Sequence, residues 1–242
     1  MTEHNFDAKA FFVADGSYRS LAKSIIAAPG MGKSVWISET LPDAIEGEEA
    51  FRCIYVSPKH ETLSGKLADA PIIYSPEDLV PALNENTVVQ FFPNIETMDS
   101  DLDSIIDQIF ELSEKISANG GVEVSKGVFK PFSVTLIIDD AQSIDSLSNR
   151  KALPNSVKRA TVLGRSRRIM PIFVTHRINA LPRLVASNIG ECIYFRTGSA
   201  DRDNVKRVLN IDPDDIPEME PFYWLHIDLM GDKITGYSPL EI

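Results

Sequence analysis

The sequence predicts an α/β fold in which a mainly parallel central sheet is flanked by helices. Three observations predict it. Apolar runs bounded by turn residues recur along the chain with helical stretches between them, the alternation that strand–helix–strand units produce. Two of these runs, Ser24-Ile25-Ile26-Ala27 and Val134-Thr135-Leu136-Ile137-Ile138, are apolar nearly throughout, as buried strands are. The C-terminal stretch FYWLHIDL-MGD-KITGY reads as a β-hairpin across a short turn that contains glycine.

In chain order, strands are expected at residues 24–27, 52–57, 87–92, 133–138, 171–175, 192–196, 223–228 and 233–237. Helices are expected to begin at Lys33, Glu77, Leu102, Ser156 and Asp201. The helix around Leu102 has the clearest pattern: Leu102, Ile105, Ile106, Ile109 and Leu112 recur at three- and four-residue spacing, and Asp99, Asp101 and Asp103 suit the positive end of its dipole. Residues 119–130, opening on Asn119-Gly120-Gly121, read as a flexible loop, and residues 212–221, rich in proline and acid, as a surface connection. Neither resembles an interdomain linker, so residues 1–242 are expected to form a single domain, with residues 1–20 an N-terminal arm or edge element.

Composition narrows the class. The chain is 43% hydrophobic and 24% charged, ordinary for a folded soluble protein. No stretch approaches the roughly 18 apolar residues that span a bilayer, and MTEHNFDAKAFF lacks a secretory layout, so an intracellular protein without a transmembrane segment is expected. Cys53 and Cys192 are too isolated for a disulfide framework or a zinc site and read as small core residues. The net charge of −11 is uneven. Between Ser146 and Gly190 there is no acidic residue but nine basic ones, while the remaining 15 basic and 35 acidic residues give −20. Such a basic segment suits a surface facing DNA phosphates, a surface facing a neighbouring subunit's nucleotide, or simply a solvated helix face.

Three stretches carry chemistry. The first is IIAAPGMGKS, residues 25–34. Its end, Met31-Gly32-Lys33-Ser34, matches a phosphate-binding loop G-x-x-x-x-G-K-[ST] with Ala27 in the place of the first glycine. A strand, a glycine-bearing turn and a helix start are what a phosphate needs, because backbone N–H groups and the helix dipole then converge on it. Ala28, Pro29, Gly30, Met31, Gly32, Lys33, Ser34 and Val35 would form the cradle, with Lys33 on the β and γ oxygens and Ser34 on Mg²⁺. Alanine suits position 27 if that position does not need a positive φ.

The second stretch is the apolar strand that ends in Asp139-Asp140, the layout of a Walker B segment. Asp139 would hold the Mg²⁺ shell and Asp140 would orient the attacking water. The third, GRSRRIMPIFVTHR at residues 164–177, runs from a basic helix end through a strand to Thr175 and His176, which could sense a γ-phosphate by hydrogen bonding.

These stretches together resemble the FtsK/HerA superfamily of P-loop ATPases, particularly the small genome-packaging ATPases of viruses with internal membranes or double jelly-roll capsids. AAPGMGKS, LIIDDAQ, RCIYVSPKHETL (similar to the FtsK strand ending in D-P-K) and GRSRRIMPIFVTHR continuing to NIGECIYFRTGSADRDNVKRVL carry the resemblance. It spans most of the chain from about Lys23 to Leu209. Four residues depart from the pattern: Ala27 for Gly, Ser57 for the Asp of D-P-K, Asp140 for Glu and His176 for Gln, the last placing a titratable ring where γ-phosphate is sensed.

The resemblance implies a RecA-like core assembled as a homo-hexameric ring, with ATP and Mg²⁺ between subunits and double-stranded DNA in the pore. It implies a trans-acting arginine, for which Arg165 and Arg168 are the first choices and Arg196 and Arg202 the second, and a pore lined near Lys126 and Lys130 or near Lys151 and Lys158. The function implied is an ATP-hydrolysing DNA translocase, most like a viral packaging motor in the virion or host cytoplasm, with capsid-vertex or virion-membrane proteins as partners. Two rivals share the motifs: a cellular or plasmid HerA-like motor working with a nuclease, and a slow ATP-dependent assembly switch.

Overall fold

Every residue of the strand Ala22–Ile26 (β1) is buried, which places it inside the sheet and not at its rim. The computed structural model describes residues 6–17, 21–144, 147 and 153–240. Around β1 the described elements run α1 (Ala8–Phe12), α2 (Lys33–Ile45), β2 (Phe51–Val56), β3 (Ile72–Ile73), α3 (Leu79–Glu85), β4 (Val88–Phe91), α4 (Met98–Ala118), β5 (Val122–Ser125), β6 (Val128–Lys130) and β7 (Ser133–Ile138). Then follow α5 (Asn155–Leu163), β8 (Ile169–Thr175), α6 (Arg183–Ala186), β9 (Ile189–Phe195), α7 (Ser199–Leu209), β10 (Trp224–Asp228) and β11 (Lys233–Tyr237).

Nine strands form one sheet in the order β11-β10-β9-β1-β8-β7-β2-β4-β3. It is parallel from β9 to β3 and turns antiparallel only at the β10–β11 hairpin, as the sequence predicts. The parallel register lays Ile26 beside Thr175 and Ile138 beside Phe173, so β1, β7 and β8 end together on one edge. Ligands of open α/β sheets bind at that carboxyl edge.

Helices cover both faces. On one face α4 contributes Leu102, Ile105, Ile106 and Ile109, all buried, while Leu112 packs at the margin. On the other, α1 and α2 meet through Phe11, Phe12 and Trp36. The helices start within a few residues of expectation; α4 begins at Met98, one turn before Leu102.

Two readings are revised. Residues 122–130 are not an irregular loop but the β5–β6 hairpin, whose Val128 and Phe129 are half exposed, so alternation gave no buried face to read. Residues 212–221 are only partly a surface connection, because Ile216 and Met219 are buried in the core. The basic segment is partly neutralised within the fold: Arg159 reaches Asp107 of α4 at 2.5 Å and lies over Phe110, Arg167 meets Glu114 at 3.4 Å, and Arg177 meets Asp201 at 3.8 Å. Arg150 and Lys151 lie outside the described residues. Both cysteines are buried and outside any disulfide.

One charged group sits inside the sheet. Lys23 is fully buried in β1, with its ammonium donating to the Ala10 carbonyl at 2.8 Å and standing 3.3 Å from Glu191 of β9. Glu191 also meets His226 of β10 at 2.8 Å. The network ties α1 to three strands. Breaking a buried pair strands one charge, so Lys23→Met is expected to destabilise the fold by about 3–5 kcal/mol, and the double variant Lys23→Met/Glu191→Leu to recover most of that loss. Urea unfolding checks both values, and equal stability of the single variant and the wild type would contradict the assignment.

Candidate functional site

The turn between β1 and α2 follows directly from its residues. Ala27 is fully buried and extends β1, its N–H donating to the Thr175 carbonyl at 3.2 Å. Its φ is not positive, so alanine fits where the motif usually has glycine. The left-handed conformations fall at Gly30 (φ 75°) and Gly32 (φ 86°). The φ of 86° is what favours glycine at position 32; a Cβ there would stand 2.9 Å from Leu240 Cδ1, the movable end of a side chain. Lys33 then opens α2, with Ser34 behind it in the first turn.

A cavity of about 460 Å³ lies above this turn, within the range of small-ligand sites. Gly30, Gly32, Lys33, Ser34, Asp139, Asp140 and His176 line it together, so residues from three strands converge as their spacing predicts. Pro29 and Val35 also line it, whereas Ala28 is pinned beneath, its N–H donating to the Arg196 carbonyl at 3.1 Å.

The polar groups form one connected network. Lys33 Nζ is 3.4 Å from the Ala27 carbonyl oxygen and 2.9 Å from His176 Nδ1. Nδ1 also stands 3.1 Å from the Ala27 carbonyl oxygen; since an ammonium only donates, Lys33 assigns Nδ1 as the acceptor and Nε2, 3.3 Å from Asp140 Oδ1, as the N–H side. Asp140 has φ 45°, a left-handed conformation that Asp tolerates better than most residues, and its amide donates to Asp139 Oδ1 at 2.9 Å. Gln142 donates to Asp140 and accepts from the Thr175 hydroxyl at 2.6 Å, which couples the end of β7 to the end of β8. Lys59 Nζ, from the turn after β2, sits 2.9 Å from Asp140 Oδ2.

Ser34 and Asp139 share a partner. The Tyr55 hydroxyl donates to Asp139 Oδ2 at 2.7 Å and also hydrogen-bonds the Ser34 side chain. Burial and the Asp139 carboxylate push the Tyr55 phenol well above its usual range, so it remains a donor. A hydroxyl and a carboxylate side by side are hard oxygen donors of the kind that would suit magnesium. No cluster of three or more His, Cys, Asp or Glu side chains suited to a metal occurs among the described residues. Burial lowers the pKa of Lys33, opposed by Asp139 and Asp140.

The structure does not bring Arg165 or Arg168 to this cavity. Both lie before the start of β8, on the opposite edge, roughly 20 Å away at about 3.3 Å per residue. Lys126 and Lys130 of the β5–β6 hairpin lie toward that same far edge, where the turn at Gly121 and the strand entry at Pro131 border a cavity shared with Arg168. Arg196 and Arg202 stand on the loop edge, around a second cavity of about 210 Å³. Lys158 is exposed on α5, and Lys151 lies outside the described residues. The sequence reading missed Tyr55, which looks like an ordinary strand residue, the linking role of Gln142, and Phe222. Lys59 and Glu61 also line the cavity, and their only signal was their place in the SPKHE segment.

No protein-family model and no curated protein sequence matches the chain. Solved structures do. The genome packaging NTPase B204 from Sulfolobus turreted icosahedral virus 2, in complex with ATP-gammaS, superposes with a TM-score of 0.71 at 14% identity, covering 92% of this chain and 98% of that one. The pCW3 conjugation coupling protein TcpA, with ATPgS, matches at TM-score 0.59 and 15% identity over 91% of this chain and 60% of that one. The type VII secretion ATPase EccC of Thermomonospora curvata matches at TM-score 0.59 and 14% identity over 90% of this chain and 25% of that one. The chain therefore shares the fold of this packaging NTPase, this coupling protein and this secretion ATPase.

The buried lysine yields a pH expectation. A phosphate group held by Lys33 would need it charged, and its pKa is depressed, so affinity for a phosphate ligand in this cavity is expected to fall as pH rises through a range where exposed lysines remain charged. The fall approaches about tenfold per pH unit, with proton uptake on binding, measured by calorimetry in two buffers. Affinity that stays flat up to the ordinary lysine range would contradict it.

Proposed function

We propose that the protein is a magnesium-dependent ATPase that moves double-stranded DNA, and that it serves as a viral genome-packaging motor. One observation carries the catalytic half: Lys33, Ser34, Asp139, Asp140 and His176 line a single cavity at the carboxyl edge of the sheet. The likeness to B204, which covers nearly all of both chains, supports the motor half.

In this reading the loop amides from Gly30 to Ser34 and the N-terminus of α2 hold the β-phosphate, and Lys33 neutralises the β and γ oxygens. Ser34 and Asp139 would hold magnesium, which when bound neutralises charge on the phosphates. Asp140 orients a water whose oxygen attacks the γ-phosphorus. As the new P–O bond forms, the bond to the β–γ bridging oxygen breaks, ADP departs with its electron pair, and the water proton passes to Asp140. His176, between Lys33 and Asp140, sits where loss of the γ-phosphate alters both contacts.

Lys126, Lys130, Arg165 and Arg168 stand away from the nucleotide edge, which suits contact with DNA phosphates by a surface separate from the chemistry. Arg196 and Arg202 share the loop edge and are better placed to reach a neighbour's nucleotide from within a ring; Arg165 and Arg168 would serve only if that neighbour's cavity docks against the far edge. Assembly as a homo-hexamer, docking on capsid-vertex or virion-membrane proteins, and residence in the virion or host cytoplasm belong to the same proposal. No helix among the described residues is long and apolar enough to cross a membrane.

ATP turnover is expected to rise when double-stranded DNA is added, and Lys33→Ala to lose ATP binding. Asp140→Asn is expected to keep ATP binding while kcat falls by about 10²–10⁴-fold. A coupled phosphate-release assay measures turnover, and equilibrium binding of a labelled ATP analogue measures affinity. Turnover indifferent to DNA would remove the motor reading, and normal turnover in both variants would remove the catalytic one.

A further inference from the structure

Three donors already engage the Asp140 carboxylate, which leaves little of its charge and acceptor capacity for a water. Oδ1 faces Gln142 and His176, and Oδ2 holds Lys59 at 2.9 Å. Two of these partners sit on rigid elements at the strand ends. Lys59 does not: its side chain is half exposed, whereas the backbone beneath it is fixed. Ser57 N–H donates to the Phe91 carbonyl at 3.0 Å, the Ser57 hydroxyl accepts from Glu61 N–H at 2.9 Å, and the His60 ring stacks on Phe92 at 5.1 Å. A pinned turn thus presents a half-exposed ammonium to the cavity.

Charge determines where that ammonium goes. Around the cavity Lys33 and Lys59 face Asp139, Asp140 and Glu61, a formal balance of −1 with His176 neutral. A terminal phosphate brings further negative charge within reach of Lys59 and competes with Asp140 for it. The hydrogen bond to Asp140 raises the pKa of Lys59, so the group is a cation throughout the neutral range.

Building on the ATPase reading above, we infer that Lys59 is a positioning residue that reads the terminal phosphate. With no γ-phosphate it locks Asp140; with one present it turns onto the γ-phosphate oxygens and opens Asp140 Oδ2 to the attacking water. A diphosphate ends short of Lys59 and leaves the lock closed. The residue therefore favours ATP over ADP and keeps the water-orienting carboxylate closed unless a γ-phosphate is in place.

The test is equilibrium binding of a non-hydrolysable ATP analogue and of ADP, both with magnesium, to the full chain and three variants. Lys59→Met is expected to weaken the triphosphate analogue by about tenfold or more and ADP by less than about twofold, the size of one charge-assisted hydrogen bond. Lys59→Arg is expected to keep most of the preference. Asp140→Asn removes the lock, so it should tighten the triphosphate analogue severalfold, and this gain should vanish in Asp140→Asn/Lys59→Met. Equal weakening of both nucleotides, or a gain that survives in the double variant, overturns the inference while leaving the phosphate site intact. Wild-type protein that binds neither nucleotide overturns the ATPase reading itself, and this inference with it.

Discussion

The parallel alignment of β1, β8 and β7 is the constraint on which everything else depends. Backbone hydrogen bonds set Ile26 against Thr175 and Ile138 against Phe173, and the ladder continues one step further when Ala27 N–H meets the Thr175 carbonyl. The turn before α2, the paired acids and the histidine then leave the sheet at one height. A slip of one residue would turn each strand's side chains to the opposite face and separate Lys33 from Asp139. Both faces of these strands are buried, so register is enforced twice, by α4 on one side and by α1 and α2 on the other.

The ends of the chain reinforce the same point. Phe6, Phe11 and Phe12 from the N-terminal segment and Trp224 from the C-terminal hairpin all pack around Trp36, one turn into α2. That helix begins directly after the glycine turn that lines the cavity. Leu240 packs against Gly32. Segments remote in sequence therefore hold the first turn of α2 in place, while the cavity side of the loop remains open.

Much of this was legible in the sequence because buried parallel strands are continuous apolar runs and because glycine, lysine and serine have few reasons to occur together after one. β7 and β8 were read at the correct edge, and Asp139, Asp140 and His176 with them. Ala27 posed a question that φ answers. The two-residue strand β3 and the half-exposed β5–β6 hairpin left no periodic trace. The basic segment was visible as charge, but its pairing with Asp107 and Glu114 of α4 was not, since those acids look like an ordinary solvated helix face. Tyr55 and Lys59 were hidden for a similar reason: a tyrosine in a strand and a lysine in a turn acquire their roles only from Ser34, Asp139 and Asp140, each at least 21 positions away.

The site that results is a cavity with a cationic floor, a hard-oxygen pair and a carboxylate under restraint, on a fold shared with B204, TcpA and EccC. The central claim is that these groups converge on one triphosphate. A structure of the chain soaked with a non-hydrolysable ATP analogue and manganese tests it most directly. The account predicts phosphate density over residues 30–34 and an anomalous peak for the cation beside Ser34 and Asp139. Nucleotide bound elsewhere, or a cation remote from both residues, would contradict it.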